Sequence, residues 1–330
     1  MVDDTRIATV FGGSGFIGRY VTRRLAKAGW RVRVAVRRPN DAHFVRTYGV
    51  VGQVEPVQAN IRDDASVRAA IQGANAVVNC IGILFPDGKN RFDAVQAEGP
   101  GTLARVASEA GVARFVHVSA IGADAESESD YARTKAAGEA AVHQHFPTAV
   151  ILRPSIVFGV EDQFFNRFAA MARFSPGLPV VGPETRFQPV YVDDVAAAVE
   201  VAVGGAAAAP VYELGGPEVA TFGDLMRRML SIIGRRRALI TVPFWIARIQ
   251  GRVLDLLPTV TFGLVPNSLL TLDQVRLLAR DNVASPDLPG LEAIGVTPTP
   301  MEAVLERYLY SYRPYGQYSE ITESARDQGE

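Results

Sequence analysis

The stretch Thr9-Val10-Phe11-Gly12-Gly13-Ser14-Gly15-Phe16-Ile17-Gly18 constrains this chain more than any other. A short apolar run, Ile7 to Phe11, precedes the glycines, and a helical pattern, Tyr20 to Ala28, follows them. The order is strand, glycine turn, helix. Gly12, Gly15 and Gly18 stand in G-x-x-G-x-x-G spacing. The first two let the backbone turn sharply and approach a pyrophosphate, and the third lets helix and strand pack closely. Backbone N–H groups at the helix start, in the run Ser14, Phe16 and Ile17, then face the phosphates. The alternative is a plain tight turn, but the position at the first strand–helix junction favours a nucleotide site.

The 330 residues are 48% hydrophobic and 21% charged, enough apolar material for one large or two modest domains. A net charge of −1 removes the general electrostatic case for nucleic acid. Cys80 is the single cysteine, so no internal disulfide framework exists. With His43, His117, His143 and His145 it makes no convincing metal constellation, and no metal is expected. Asp3 and Asp4 stand where a signal peptide would be basic, and the charge-free stretch Leu256–Leu272 is interrupted by Pro258, Pro266 and Asn267. The expectation is a soluble or peripheral protein, on the cytoplasmic face of the inner membrane in a bacterium or the matrix face in a mitochondrion.

Apolar runs alternate with helical patterns. The strands expected are Arg6–Phe11, Arg31–Val36, Val54–Ala59, Ala76–Cys80, Arg114–Ser119, Ala149–Arg153 and Val211–Leu214. The helices expected between them are Phe16–Ala28, Ala65–Ile71, Phe92–Ala110, Asp130–His145 and Val192–Val203. This is an α/β pattern, a Rossmann-type doubly wound parallel sheet with its ligand at the carboxyl ends of the strands. After Val160 the alternation breaks down; Pro176, Pro179 and Pro183 mark loops, and Thr221 fits as N-cap for Phe222–Ile233. The division expected is a nucleotide-binding domain over 1–160 with a contribution from 188–216, a smaller, mostly helical lobe over 161–312, and an extended tail over 313–330.

The second strand ends in Val36-Arg37-Arg38-Pro39, with no Asp or Glu to hold a ribose 2′-hydroxyl. Arg37 and Arg38 could instead pair with a 2′-phosphate, which favours NADPH over NADH; two solvated arginines are the blander alternative. Asn60 and Ile61, after the third strand, are taken with them as nucleotide contacts. Tyr131 and Lys135 share one helix face, and Ser119 ends the preceding strand. Such a set suits carbonyl chemistry: Ser119 polarises an oxygen, Tyr131 exchanges the proton, and Lys135 lowers the tyrosine pKa and reaches the nicotinamide ribose. Equally, Tyr131 and Lys135 could simply hold the ribose. Glu161, Asp162 and Arg167 fit several roles.

In their order, Gly12, Gly15, Gly18, Ser119, Tyr131 and Lys135 resemble the short-chain dehydrogenase/reductase superfamily, in its extended and atypical branch. Asn79-Cys80-Ile81-Gly82 looks like its fourth-strand cofactor motif, and Arg153-Pro154-Ser155-Ile156-Val157-Phe158-Gly159 like the stretch that passes the nicotinamide. Several runs resemble more particularly the nucleotide-binding accessory subunits of respiratory complex I: Phe115–Ser119, Tyr131–Glu139, Phe158–Asn166, Gln188–Val195 and Leu288–Glu292. The resemblance extends to about Thr297. It implies a tightly bound NADPH that is structural or regulatory. It also implies attachment near the junction of the peripheral and membrane arms, by the quinone-binding subunits.

The stretch Val242–Leu254 mixes Trp245, Phe244 and aliphatics with Arg248 and Arg252. It could lie on a membrane, pack on a partner helix, or roof the substrate cleft. Arg235-Arg236-Arg237 could meet anionic headgroups or an acidic subunit, or be a solvated turn. Among the tyrosines at 308, 310, 312, 315 and 318, some are expected to anchor the tail to a partner. Two functions follow: an NADPH-holding accessory subunit without turnover, or a free-standing NADPH-dependent reductase or nucleotide-sugar epimerase.

Overall fold

The computed structural model describes residues 3–86, 88–260, 271–314 and 316. Most of the tail, including Tyr315 and Tyr318, and residues 261–270 of the charge-free stretch lie outside these. In chain order the first half runs β1 (Asp3–Phe11), α1 (Phe16–Lys27), β2 (Trp30–Val36), a 3-10 segment (Pro39–Tyr48), β3 (Val54–Gln58), α2 (Asp64–Ile71) and β4 (Ala76–Asn79). A π-helical turn (Asp93–Glu98) then leads into α3 (Gly99–Glu109), β5 (Arg114–Val118), α4 (Asp130–His145) and β6 (Val150–Pro154). The second half runs β7 (Val157–Phe158), α5 (Phe165–Phe174), β8 (Gly177–Val181), β9 (Arg186–Phe187), β10 (Val190–Tyr191), α6 (Val192–Gly204), β11 (Val211–Leu214) and β12 (Ala220–Thr221). It continues through α7 (Phe222–Ile232), β13 (Ala238–Val242), α8 (Phe244–Val260), α9 (Leu272–Leu277) and α10 (Glu302–Leu309).

Seven strands form one sheet in the order β11-β6-β5-β4-β1-β2-β3, every pair parallel. Parallel strands need crossovers, and the helices of those crossovers cover both faces. On one face Val21 and Leu25 of α1 and Val195 and Val199 of α6 bury against Val10, Val32 and Val116. On the other, Val67 and Ile71 of α2, Leu103 and Val106 of α3 and Val142 of α4 bury against Phe11, Val77 and Phe115. With both faces dry, β4 is buried at every residue, which is why these strands read as apolar runs and not as alternating ones. Strand order reverses between β1 and β4, so a crevice opens beside their carboxyl ends.

The second lobe has its own core of Phe165, Phe222, Leu225, Met226, Met229, Leu305 and Leu309. Thr221 caps α7 as expected, accepting from the Asp224 amide at 3.1 Å. Three features depart from the sequence reading. Pro179 lies inside β8, which among the described residues pairs only with β13; a two-stranded ribbon leaves an edge where a residue without an N–H costs nothing. The expected single helix over Phe92–Ala110 begins as a π turn and becomes α-helical at Gly99-Pro100, where the proline lacks a donor. Leu291, Ile294 and Val296, placed in the small lobe by the sequence division, pack into the core of the sheet domain.

One buried charge group ties the sheet to its cover. Arg153 on β6 reaches Glu139 of α4 at 2.6 Å and Glu213 of β11 at 3.4 Å, and both carboxylates are 8% exposed. Glu213 also accepts from the Ser285 amide at 2.7 Å. Removing the cation leaves two desolvated carboxylates facing each other. Arg153→Met is expected to cost about 3–5 kcal/mol, read as a lower urea midpoint at unchanged slope; a loss below about 1 kcal/mol would show that the group behaves as a surface pair.

Candidate functional site

The glycine turn is built by steric exclusion. Gly12 has φ +75°, a region that favours glycine, and its amide donates to Ala35 O at 3.0 Å across the top of β2. A Cβ on Gly18 would stand 2.1 Å from Gly12 O, so α1 can lie against the end of β1 only without one. Gly13 is also enclosed, less tightly: its Cβ would meet Thr22 Oγ1 at 2.9 Å and Val34 Cγ1 at 3.0 Å. The motif spacing did not single out Gly13; only the packing does. Gly15 is the N-cap of α1 with no side-chain cap, and the first turn carries no acid. Its amides and the positive end of the helix dipole therefore remain available to an anion. Phe16 and Ile17 pack on the sheet core, while Ser14 is half-buried, its carbonyl accepting from Arg19.

Arg37 and Arg38 follow the end of β2. Arg37 donates to Asn90 at 2.9 Å, and Arg38, almost fully exposed, stands 4.0 Å from Asp41. Asn60 turns the chain after β3, its side chain accepting from the Arg62 amide at 3.2 Å. The Ile61 side chain is buried in the second core of the sheet, which leaves its backbone for any ligand. Cys80 continues the β4 pairing through its amide to Phe11 O at 2.9 Å, and burial pushes its thiol up to about 12. Asn79 accepts from the Ile81 amide at 3.0 Å and bonds His117 at 3.1 Å, which shapes the loop before Gly82. Burial, then the charge of Lys135, lowers His117 to about 3, so this imidazole is neutral.

Ser119, Tyr131 and Lys135 are brought to the same edge. Ser119 is 4% exposed, and its Oγ is buried without a hydrogen-bond partner among the described residues. Lys135 is also 4% exposed; its Nζ lies 3.5 Å from Val118 O and 5.9 Å from the centre of the Tyr131 ring. A Cβ on Gly82 would come within 3.6 Å of that Nζ, which puts the β4 loop beside it. Phe92 packs edge-on against Tyr131 at 6.0 Å. Pro154 is buried at the end of β6, its carbonyl accepting from the Ile121 amide, and half-buried Ile156 leads into the second lobe.

The pKa directions correct one expectation. Lys135 does not lower the tyrosine. Burial, and after it the carboxylate of Asp273, pushes Tyr131 up to about 12. Lys135 is itself lowered to about 8 by burial, against the pull of Glu139. The site holds a neutral phenol, a proton donor by disposition and a poor base.

Asp273 is the residue the sequence did not disclose. From the first turn of α9 it accepts from Ser129 Oγ at 2.9 Å, Asp130 N at 2.7 Å and Tyr131 N at 3.2 Å. A carboxylate at a helix N-terminus meets both unpaired donors and the dipole. It holds the helix that carries Tyr131 and Lys135 from across 142 to 144 positions of sequence, and no local pattern encodes that contact. Glu161 and Asp162 hold structure together: Glu161 bonds Arg19 and Tyr20, and Asp162 accepts from Gly159 N, Asn166 N and buried Tyr308. Tyr308 thus anchors α10 to this chain's own core and is no tail anchor for a partner. Beside the site lies a cavity of about 470 Å³ lined by Leu84, Phe85, Gln163, Asn166, Arg167 and Gln274.

A glycine-lined turn at a helix N-terminus, a buried hydroxyl unpaired among the described residues, and half-buried Tyr131 with buried Lys135 fit a nicotinamide nucleotide. The chain belongs to the NAD dependent epimerase/dehydratase family, whose family model matches residues 8–215. Within it the chain is a relative of complex I accessory subunits. It is 35% identical over 316 residues to NADH dehydrogenase (ubiquinone) 1 alpha subcomplex subunit 9, mitochondrial, of Arabidopsis thaliana, covering 94% of this chain and 79% of that one. It is also 32% identical over 246 residues to Ceramide reductase of Caulobacter vibrioides (strain NA1000 / CB15N), covering 74% and 76%. In fold it is similar to DesIV (dTDP-glucose 4,6-dehydratase) from Streptomyces venezuelae with NAD and TYD bound, at TM-score 0.70 and 20% identity over 93% of this chain and 96% of that one.

A lysine whose folded pKa lies below its unfolded value is destabilising while the unfolded chain carries the proton, and the penalty fades as pH rises from about 8 to 10.5. Lys135→Met is therefore expected to raise the stability of the nucleotide-free chain at pH 7, on the order of 3 kcal/mol. The gain should shrink to near zero above pH 10.5, checked by urea melts at both pH values.

Proposed function

We propose that this chain is an NADPH-binding accessory subunit of proton-pumping NADH:ubiquinone oxidoreductase, attached near the junction of its peripheral and membrane arms. The nucleotide is held and not turned over. The observation that carries this is the 35% identity to a complex I subunit across 94% of the chain, well past the span of the family model. The second lobe therefore shares its ancestry with a subunit and not only with a fold. The preference for NADPH rests on the end of β2, where Arg37 and Arg38 stand and no carboxylate occupies the position that would repel a 2′-phosphate. Retention without turnover is supported by the neutral Tyr131 phenol: burial and Asp273 oppose the phenolate that would take a proton from an alcohol.

When bound, the nucleotide supplies a hydride donor or acceptor. The protein's own residues would bind its pyrophosphate on the amides of Gly12 to Gly18, orient its nicotinamide ribose through Tyr131 and Lys135, and present Ser119 Oγ to an oxygen. The test is a mild-detergent pull-down of the endogenously tagged protein from membranes, with its nucleotide released and identified. Co-purified complex I subunits with stoichiometric, non-exchanging NADPH are expected; a free protein with rapidly exchanging nucleotide would overturn the reading. Arg37→Asp with Arg38→Ala should weaken NADPH retention by roughly 10- to 100-fold, the scale of one or two charge-assisted bonds. NADH retention should change little, as measured by competition with each nucleotide.

A second reading, a free-standing NADPH-dependent reductase or nucleotide-sugar epimerase, is favoured by the intact Ser119, Tyr131 and Lys135 beside a 470 Å³ cavity. The kinship with Ceramide reductase points toward the reductase. Tyr131→Phe separates the two. If it keeps NADPH and leaves respiration at the wild-type rate, the hydroxyl serves no essential reaction; if it keeps NADPH and abolishes a cellular carbonyl reduction, the chain is an enzyme.

A further inference from the structure

The stretch from 225 to 254 holds seven arginines and not one Asp or Glu, in a chain whose net charge is −1. Arg227 pairs with Asp224, and Arg228 with Glu218 and Glu302. The other five, Arg235, Arg236, Arg237, Arg248 and Arg252, make no ion pair with a carboxylate among the described residues. Arg227 and the run Arg235 to Arg237 line an open depression of about 780 Å³. Of these, Arg235 donates to Tyr312 O at 3.0 Å and Arg237 to Ala172 O at 2.9 Å, so among the described residues the run is held by backbone carbonyls and by no carboxylate.

The same stretch exposes its largest apolar side chains. Helix α8 turns Ala247 and Gly251 inward, where Ala247 shares a small core with Val275 of α9, and a Cβ on Gly251 would lie 2.9 Å from the Leu272 backbone. That contact fixes the rotation of the helix. It leaves Trp245, Ile249 and Val253, four residues apart, as one outward stripe, exposed by 65%, 53% and 58%. Arg248 and Arg252 are exposed beside it. The helix therefore does not roof the cleft with its apolar stripe; the small residues face inward and the large ones outward. Ile240 on β13 (54% exposed) adds to the apolar surface of the same segment.

We propose that α8 seats this protein on an anionic bilayer, its Trp245–Ile249–Val253 stripe entering the headgroup–acyl boundary and its arginines meeting lipid phosphates. A helix with a Trp and aliphatic face edged by cations is the form that lies in a membrane interface. Arginine stems can bury along the apolar edge while the guanidinium stays with the headgroups. Each cation near an anionic surface contributes about 1 kcal/mol, so a cluster in which arginines outnumber acids discriminates between anionic and neutral lipid. A protein groove would match the apolar stripe equally well; the surplus of arginines around it, against Asp255 as the one acid of α8, selects lipid. The proposal stands apart from the complex I reading, because a free reductase of membrane lipids would need the same seat.

Of the two tryptophans, Trp30 is 6% exposed and Trp245 is 65% exposed, so a fluorescence change on binding reports α8. The full chain is mixed with vesicles of about three parts phosphatidylcholine to one part phosphatidylglycerol, or of phosphatidylcholine alone, and followed by sedimentation and tryptophan emission. Expected are binding with a blue shift on the anionic vesicles, at least about 10-fold weaker binding to the neutral ones, and a fall of about 10-fold or more for Ile249→Glu with Val253→Glu. Arg248→Gln with Arg252→Gln should lose the preference for anionic lipid while keeping its fold, judged by circular dichroism; it stands as an independent reading if the glutamate variant does not fold. Wild type remaining in the supernatant, equal binding to both vesicles, variants binding like wild type, or capture by an acidic complex I subunit with no vesicle binding would each overturn the proposal.

Discussion

The contact between Gly18 and Gly12 O governs the rest of this structure. A single methyl group at position 18 would fall 2.1 Å from that oxygen, inside covalent repulsion. Without it, α1 lies against the end of β1 and points its unpaired amides at the crevice between β1 and β4. The rest of the sheet domain follows from that placement. Both faces of the parallel sheet must be covered, α1 and α6 cover one of them, and the salt bridge of Arg24 to Asp193 at 2.8 Å ties those two helices together.

Opposite the glycine turn, the second half of the site is held by charge placed from outside the sheet. Asp273 fastens the start of α4, Arg276 bonds Glu128 O, and Arg280 pairs with Asp124. Residues 273–280 thus clasp the 124–131 segment that leads into Tyr131. The carboxylate that positions the helix also adds to the effect of burial in raising the Tyr131 phenol.

Helix α9 has two neighbours. On one side it presents Asp273 to α4; on the other, Leu272 and Val275 pack against Gly251 and Ala247 of α8. Helix α8, which carries exposed Trp245, Arg248 and Arg252, is therefore one helix away from α4 and its Tyr131 and Lys135.

The strand–helix alternation, the glycine turn, the Ser119–Tyr131–Lys135 set and the absence of an acid after β2 were all legible in the sequence, because each depends on residues close in the chain and on the period of one element. The 3-10 segment over Pro39–Tyr48, α5 and β8 were not, because α5 packs its apolar residues on partners far along the chain and Pro39 and Pro179 read as breaks in the other two. The rotation of α8 was undetermined for the same reason: periodicity distinguishes two faces of a helix without saying which one is covered. The sequence by itself determined a Rossmann fold with a nucleotide cradle. Only the tertiary structure decided that Asp273 reaches α4, that Gly13 is enclosed by Thr22 and Val34, and that the tryptophan stripe faces outward. These are contacts between segments whose meeting is set by the packing of the whole chain and not by any local pattern.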